Sequence, residues 1–347
     1  MCNIAGYAGT KQAAPILLEM LRKQQHYDGA VCAGIATIYN GRLYYRKVVG
    51  DVETLINTTD ALYLPGTVGI AHTRPGGEPH TYAYAHPFIN FEETIAGMTN
   101  GTGRGEGLPK ERIQESTTML EEEGFIFRDI VFNRKSDFPY LKDGSHVSSV
   151  ATRTYLVDKY IKEGMTTSAA MAKTSSHLYG DSVLGILNLN TPDRFYILRT
   201  TRPAISLKTD DGVYVATTRF GFPEDADGEI KMLPLATACE MTKDGVIVTN
   251  EKLIDCEEVA EITDYTLEEG YKRFTALLKG KKDAPLHFDD LELAVWKDMR
   301  DLFDGDHTLI QDGRLVYDIL FRLHEEGLLN IELRETNNRK RYFFWID

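Results

Sequence analysis

The sequence predicts a layered α+β domain followed by a small, separate module of helices and strands. Three observations lead there. Two β-rich blocks, residues 31–98 and 183–249, flank a block with helical spacing over 108–177. A charged stretch containing Gly and Pro, Lys279-Gly280-Lys281-Lys282-Asp283-Ala284-Pro285, then marks a boundary. Beyond it the pattern is helix, helix and β-hairpin.

Taken in order, Lys11 to Gln25 is a helix: Pro15 suits a first turn, and Leu17, Leu18 and Leu21 share a face. Val31 to Tyr39 alternates as a strand, Asn40-Gly41 is a two-residue turn, and Leu43 to Val49 is the return strand. Short strands follow at Gly66 to His72 and at Thr94 to Met98, the latter running into Asn100-Gly101. Leu108 to Glu123, His146 to Lys162 and Thr167 to His177 are helices. Val183 to Asn190, Phe195 to Arg199, Val213 to Thr218 and Val246 to Thr249 form the second β-rich block. Past the boundary, Asp290 to Phe303 and Asp312 to Glu326 are helices. Leu328 to Arg334 and Lys340 to Ile346 are strands joined through Asn337-Asn338. This order resembles a winged-helix module. The expected domains are 2–280 and 285–347.

Composition narrows the function classes. With 347 residues and 42% hydrophobic content, the chain can bury a sizeable core. A formal net charge of −13 argues against nucleic acid or an anionic membrane as the main partner. Residues 285–347 carry 8 Lys+Arg against 14 Asp+Glu, so the expected role of the module is protein interaction or dimerisation rather than DNA binding. Its second helix sets Arg314 and Arg322 among Asp312, Asp318, Glu325 and Glu326, which reads as a solvated mixed face. No stretch has the ~18 apolar residues of a membrane span, and the first residues do not read as a signal peptide. Cysteines at 2, 32, 239 and 256 form no C-x-x-C pair and no disulfide framework, which fits a cytoplasmic protein with free thiols. No metal-ligand spacing stands out, and no metal or cofactor is expected.

Position 2 carries the chemistry. A cysteine is a capable nucleophile at neutral pH once a base takes its proton. If Met1 is removed, Cys2 brings its own α-amine, whose pKa of about 8 suits that task. Cys2-Asn3-Ile4-Ala5-Gly6-Tyr7 resembles the opening of the class II glutamine amidotransferases. Further matches come in the same order: Gly69-Ile70-Ala71-His72-Thr73-Arg74, Gly77-Glu78-Pro79, Ala85-His86-Pro87, Thr99-Asn100-Gly101 and Asp181-Ser182-Val183-Leu184-Gly185. The resemblance spans roughly residues 2 to 250 and resembles most the glutaminase halves of synthase and phosphoribosyltransferase members.

The resemblance implies a four-layer αββα sandwich of the N-terminal-nucleophile (Ntn) hydrolase class. It implies that Cys2 attacks the side-chain amide of glutamine, giving a thioester and ammonia. Asn100, through its side-chain N–H, and Gly101, through its backbone N–H, would stabilise the oxyanion. Arg74 would hold the substrate α-carboxylate. Read without the family, Asn100-Gly101 is a turn, Arg74 an ion-pair partner, and His72 and His86 are structural histidines.

Three departures bear on recognition. Arg74 is followed by Pro75-Gly76-Gly77 where the family has an aromatic residue. The family's R-G-x-D-S-A-G segment reads Asp28-Gly29-Ala30-Val31-Cys32-Ala33-Gly34 here, without its Arg and Asp. Ser148 falls nearest the Asp that binds the glutamine α-amino group, and a hydroxyl carries no charge. The expected function is therefore an amidohydrolase that releases ammonia from glutamine, with no acceptor domain in these residues and a separate acceptor protein as possible partner. A homo-oligomer is expected. A glutamine-sensing or partner-binding module of weak activity, and an Ntn hydrolase of another amide, stay open.

Overall fold

The structure is a computed structural model that describes residues 2–75, 81–101, 110–132, 139–305, 307–336 and 339–347. The segment with Gly77-Glu78-Pro79, the Gly-rich run after Gly101 and the Asn337-Asn338 turn lie outside the described residues.

Two antiparallel sheets stack face to face. One has seven strands in the order Glu229–Met232, Ile205–Thr209, Gly212–Ala216, Asn3–Gly9, Val68–Arg74, Cys32–Tyr39 and Arg42–Val49. The other has six: Gly245–Lys252, Thr237–Thr242, Arg194–Arg199, Ser182–Asn188, Ile95–Gly101 and Phe88–Ile89. Ile4, Ile70, Met98, Phe195, Ile197 and Val213 fill the space between them. Helices α1 (Ala13–Gln24) and α2 (Val52–Thr58) cover the outer face of the first sheet through Leu17, Leu21 and Leu55. Helices α3 (Lys110–Glu122), α4 (Ser149–Lys162) and α5 (Thr167–His177) cover the second through Leu120, Leu156 and Met171. The layering is helix, sheet, sheet, helix.

The central strand Asn3–Gly9 is absent from the pattern reading for a physical reason. Every residue in it is buried, since both faces are covered, so no apolar–polar alternation is available to see. Its Gly6 faces the second sheet, where a Cβ would lie 2.4 Å from the Phe195 ring. The strand carries glycine at this point because the sheets approach closely here. Gly6→Val is expected to cost about 1–3 kcal/mol through overpacking, read as a lower urea midpoint with unchanged m-value.

Helix α4 starts three residues later than expected: His146–Val147 is a short strand, and Ser148 is the N-cap. The predicted Asp290–Phe303 helix is α7 (Phe288–Asp298) with a short turn of 3₁₀ helix at Arg300–Leu302. Helix α6 (Asp264–Leu278) is also absent from the pattern reading. It opens with a Thr263–Thr266 capping box, and Gly270 interrupts its apolar stripe. That glycine is where α8 (Asp312–Glu325) packs closest, with Ile319 and Leu315 against it.

Helices α6, α7 and α8 and the hairpin Asn330–Thr336/Arg339–Trp345 share one core, built on Phe274, Leu278, Phe288, Leu315, Leu320 and Phe344. Leu286–His287 adds a third strand. One member of the expected solvated face of α8 is corrected: Asp312 is buried, while Arg314, Asp318 and Arg322 are half-buried and Glu325 and Glu326 exposed. Leu315, Val316, Tyr317, Ile319, Leu320 and Leu323 are buried on the other face. Burial follows because the helix lies between its own core and the sandwich. None of the described helices is long and apolar enough to cross a membrane.

Candidate active site

Cys2 stands just before the central strand, whose register sets Asn3 opposite Thr73 on one side and Ala5 opposite Ala216 on the other. The Ile4 N–H donates to Thr217 Oγ1 at 2.8 Å, fixing the start of the strand. Asn100 and Gly101 end a strand of the second sheet, so the two sheets bring these residues to one pole.

There the Cys2 backbone N–H donates to Asn100 Oδ1 at 3.0 Å. A nitrogen carrying hydrogen can only donate here, so it dictates which way the Asn100 amide faces. The Asn100 Nδ2 donor is left buried with no partner among the described residues. The Gly101 backbone N–H is hydrogen-bonded to the Cys2 thiol. Gly101 has φ +102°, and a Cβ on it would lie 2.1 Å from the Asp181 carbonyl oxygen. Only glycine fits both conditions. One nucleophilic sulfur thus faces a backbone N–H, beside an unused side-chain N–H.

Burial pushes the Cys2 thiol pKa up. The charge of the chain's amino terminus, Arg74, the Gly101 N–H and Arg202 pull it back down. Arg74 ends its strand opposite Cys32, bonds the Cys32 thiol and lies over the Tyr84 ring at 5.9 Å. Ser148 has a structural task of its own. Its Oγ accepts from the Val150 N–H at 3.2 Å as the cap of α4. Lys162 of α4 pairs with Glu92, and Thr154 packs against Gly97, so α4 runs antiparallel to the strand Ile95–Gly101. Its N-terminus therefore comes level with Asn100-Gly101. The structure brings Cys2, Asn100 and Gly101 into contact, keeps Arg74 within electrostatic reach, and sets Ser148 in the helix layer.

His72 and His86 are buried against each other, with His86 Nδ1 2.8 Å from the His72 ring nitrogens and His72 Nε2 3.1 Å from the Thr99 carbonyl. Burial pushes His72 down to about 3; burial, His72, Arg74 and Lys47 hold His86 well below its ordinary value. Both are neutral in the fold, whereas the unfolded chain takes up their protons below pH ~6.5. Stability is therefore full above pH ~6.5 and falls as pH drops toward 3. Each histidine is expected to add a slope of up to about 1.4 kcal/mol per pH unit to urea stability in that window. His72→Gln should flatten it.

Several residues at this pole escaped the pattern reading. Arg202, after the strand Arg194–Arg199, is buried and pairs with Asp181, with Glu292 of α7 and with Asp312 of α8 (3.5 Å). Trp296 Nε1 donates to Asp312 at 2.6 Å. Arg199 donates to Gln311. Tyr317 Oη makes a long 3.5 Å contact to Asn3 Oδ1. Asp28, which stands where the family has arginine, is met by Arg341 of the hairpin at 3.8 Å, and Arg341 also pairs with Asp289 at 3.3 Å. Each pair joins residues far apart in the chain, and no local spacing announces them.

Known proteins resemble this chain in sequence and in fold. A glutamine–fructose-6-phosphate aminotransferase (isomerizing) of Clostridium acetobutylicum is 31% identical over 219 residues, 62% of this chain and 31% of the relative. The same-named protein of Chlorobaculum tepidum is 26% identical over 340 residues, 94% of this chain and 48% of the relative. These similarities support a class II glutamine amidotransferase family. No family model matches it. Among solved structures, a glutamine phosphoribosylpyrophosphate amidotransferase from B. subtilis superposes with a TM-score of 0.57 at 17% identity, over 78% of this chain and 52% of that one. That likeness establishes the shared fold. The chain spans a third to a half of the length of these curated relatives.

Proposed function

We propose that this amidotransferase-family chain, with Met1 removed, hydrolyses the side-chain amide of glutamine through a Cys2 thioester and releases ammonia. One observation carries the reading: the Cys2 sulfur, the Gly101 N–H and the unpartnered Asn100 Nδ2 converge at one pole. Cys2 is the nucleophile and its freed α-amine the base. Asn100 Oδ1 orients that amine, and Asn100 Nδ2 and Gly101 N–H receive the developing oxyanion. The Cys2 sulfur bonds the amide carbon, the nitrogen leaves as ammonia carrying the thiol proton, and water then cleaves the thioester. Arg74 would hold the substrate carboxylate. Ser148 caps α4 and brings no charge for an ammonium group, so the α-amino group of the substrate is held loosely at that point.

The order of α6, Leu286–His287, α7, α8 and the hairpin fits a winged helix, and we place the start of this module before α6. Its last helix, α8, is spent on docking to the sandwich, which favours a protein-binding role over reading a nucleic-acid groove.

The test uses protein whose mass confirms that it starts at Cys2. Glutamine hydrolysis, followed by ammonia release, and labelling at Cys2 by a glutamine-like electrophile are expected. Absence of any acyl-enzyme with glutamine or other amides would sink the catalytic reading. Hydrolysis of a different amide alone would redirect it to another substrate.

A further inference from the structure

We infer that Glu292 and Asp312, on helices α7 and α8, are positioning residues for the nucleophile site, acting through Arg202 and Asp181 on Gly101. The inference rests on the reading of Cys2 as nucleophile. The chain of contact is continuous. Glu292 and Asp312 clamp the Arg202 guanidinium, and Trp296 holds Asp312 from behind. Arg202 pairs with the Asp181 carboxylate, which Thr201 Oγ1 also bonds. The Asp181 carbonyl oxygen lies against the Cα of Gly101, too close to admit a Cβ. The Gly101 N–H faces the Cys2 sulfur. A movement of α7 or α8 therefore reaches the oxyanion donor through three residues.

The chemistry of the cluster argues for geometry over adhesion. Four ionisable side chains, all nearly devoid of solvent contact, give one guanidinium and three carboxylates. Burying such a set costs desolvation that its attractions barely return, and an apolar contact would hold the module as well. Apolar contact already holds the module, whose core takes in Tyr27 of the sandwich. What the ionic set supplies is a fixed direction for Arg202. Burial raises the Asp181 and Asp312 pKa values, against the pull of Arg202. Two further bridges, Arg199 to Gln311 and Asp28 to Arg341, pin the module to the same pole.

The experiment compares Glu292→Gln and Asp312→Asn with the parent, all processed to Cys2 and all in the full chain. Glutamine turnover is normalised to Cys2 sites titrated by the glutamine-like electrophile. The kcat is expected to fall about tenfold or more with KM within about twofold, the pattern of an interaction made in the transition state. Separately, iodoacetamide alkylation of Cys2 is followed by peptide mass across pH. The groups facing this thiol are the amino terminus, Arg74, Arg202 and the Gly101 N–H, with the Cys32 thiol beside Arg74. With a carboxylate removed, the field of Arg202 is less offset and the alkylation midpoint is expected to move to lower pH. Folded variants with parental kcat and parental midpoint would overturn the inference. If the parent turns over no glutamine, the proposed function fails. The alkylation midpoint alone then decides the positioning role, and an unshifted midpoint in both variants refutes it. Should both variants fail to fold, Trp296→Phe removes only the donor to Asp312, and the same two readouts apply to it.

Discussion

Cys2→Ala is expected to abolish amide hydrolysis while the protein stays folded. The proposed nucleophile is a single sulfur, and the described residues around it supply donors and charges but no second thiol in its place. The Cys32 thiol sits two strands away across Arg74, buried and bonded to that guanidinium. Loss of a nucleophile typically lowers kcat by about three orders of magnitude or more, leaving what binding and oxyanion donors provide alone. Steady-state ammonia release reads this directly. Cys2→Ser should retain little more. Its hydroxyl is a weaker nucleophile, and the α-amine is a poor match for its high pKa. Both variants should unfold near the parental temperature, because Cys2 lies at the rim of the sandwich and not between the sheets. Retention of Met1 should resemble Cys2→Ala in rate, since it converts the base into an amide. A fusion cleaved to leave Cys2 first separates the two.

Asn100→Ala is the second large effect. It removes the unpartnered Nδ2 donor and the Oδ1 that holds the Cys2 nitrogen at 3.0 Å. Loss of one oxyanion donor costs about 10²–10³ in kcat, and the loss of the orienting acceptor adds to it. KM should change little, because a ground-state amide oxygen gains less from these donors than the oxyanion does. Asn100→Asp keeps the acceptor and replaces the donor by a charge that repels the oxyanion, so its kcat should fall at least as far. Gly101→Ala should be no better tolerated. It asks a Cβ to sit 2.1 Å from the Asp181 oxygen at φ +102°, which moves the N–H off the sulfur. Unchanged kcat in Asn100→Ala would remove Asn100 from the oxyanion site.

The legible part of this protein is the part written in short segments. The Asn40-Gly41 turn, the stripe of Leu17, Leu18 and Leu21, and the strands on either side are local signals that the structure repeats within a residue or two. So are the ordered motifs ending at Arg74 and Asn100-Gly101. The central strand Asn3–Gly9 and helix α6 were not visible. One is buried on both faces, and the other carries a glycine where a neighbouring helix approaches. Ser148 was legible as a position and not as a role, because a residue nearest a family carboxylate can still be a helix cap.

By itself, then, the sequence named the candidates for bond-breaking chemistry, because the thiol of Cys2, the amide of Asn100 and the unencumbered backbone N–H of Gly101 are groups that each residue type owns. It also determined the layered class, since periodicity depends only on neighbours along the chain. The tertiary structure decided what surrounds that chemistry. Asp312 reads as an exposed helix acid until α8 docks, and then it is a buried partner of Arg202. Asp28 reads as a lost arginine until the hairpin delivers Arg341 to it. Charge and burial at these positions depend on residues a hundred or more apart meeting in space. That distance carries no period or motif to read, which is why only the folded chain could supply it.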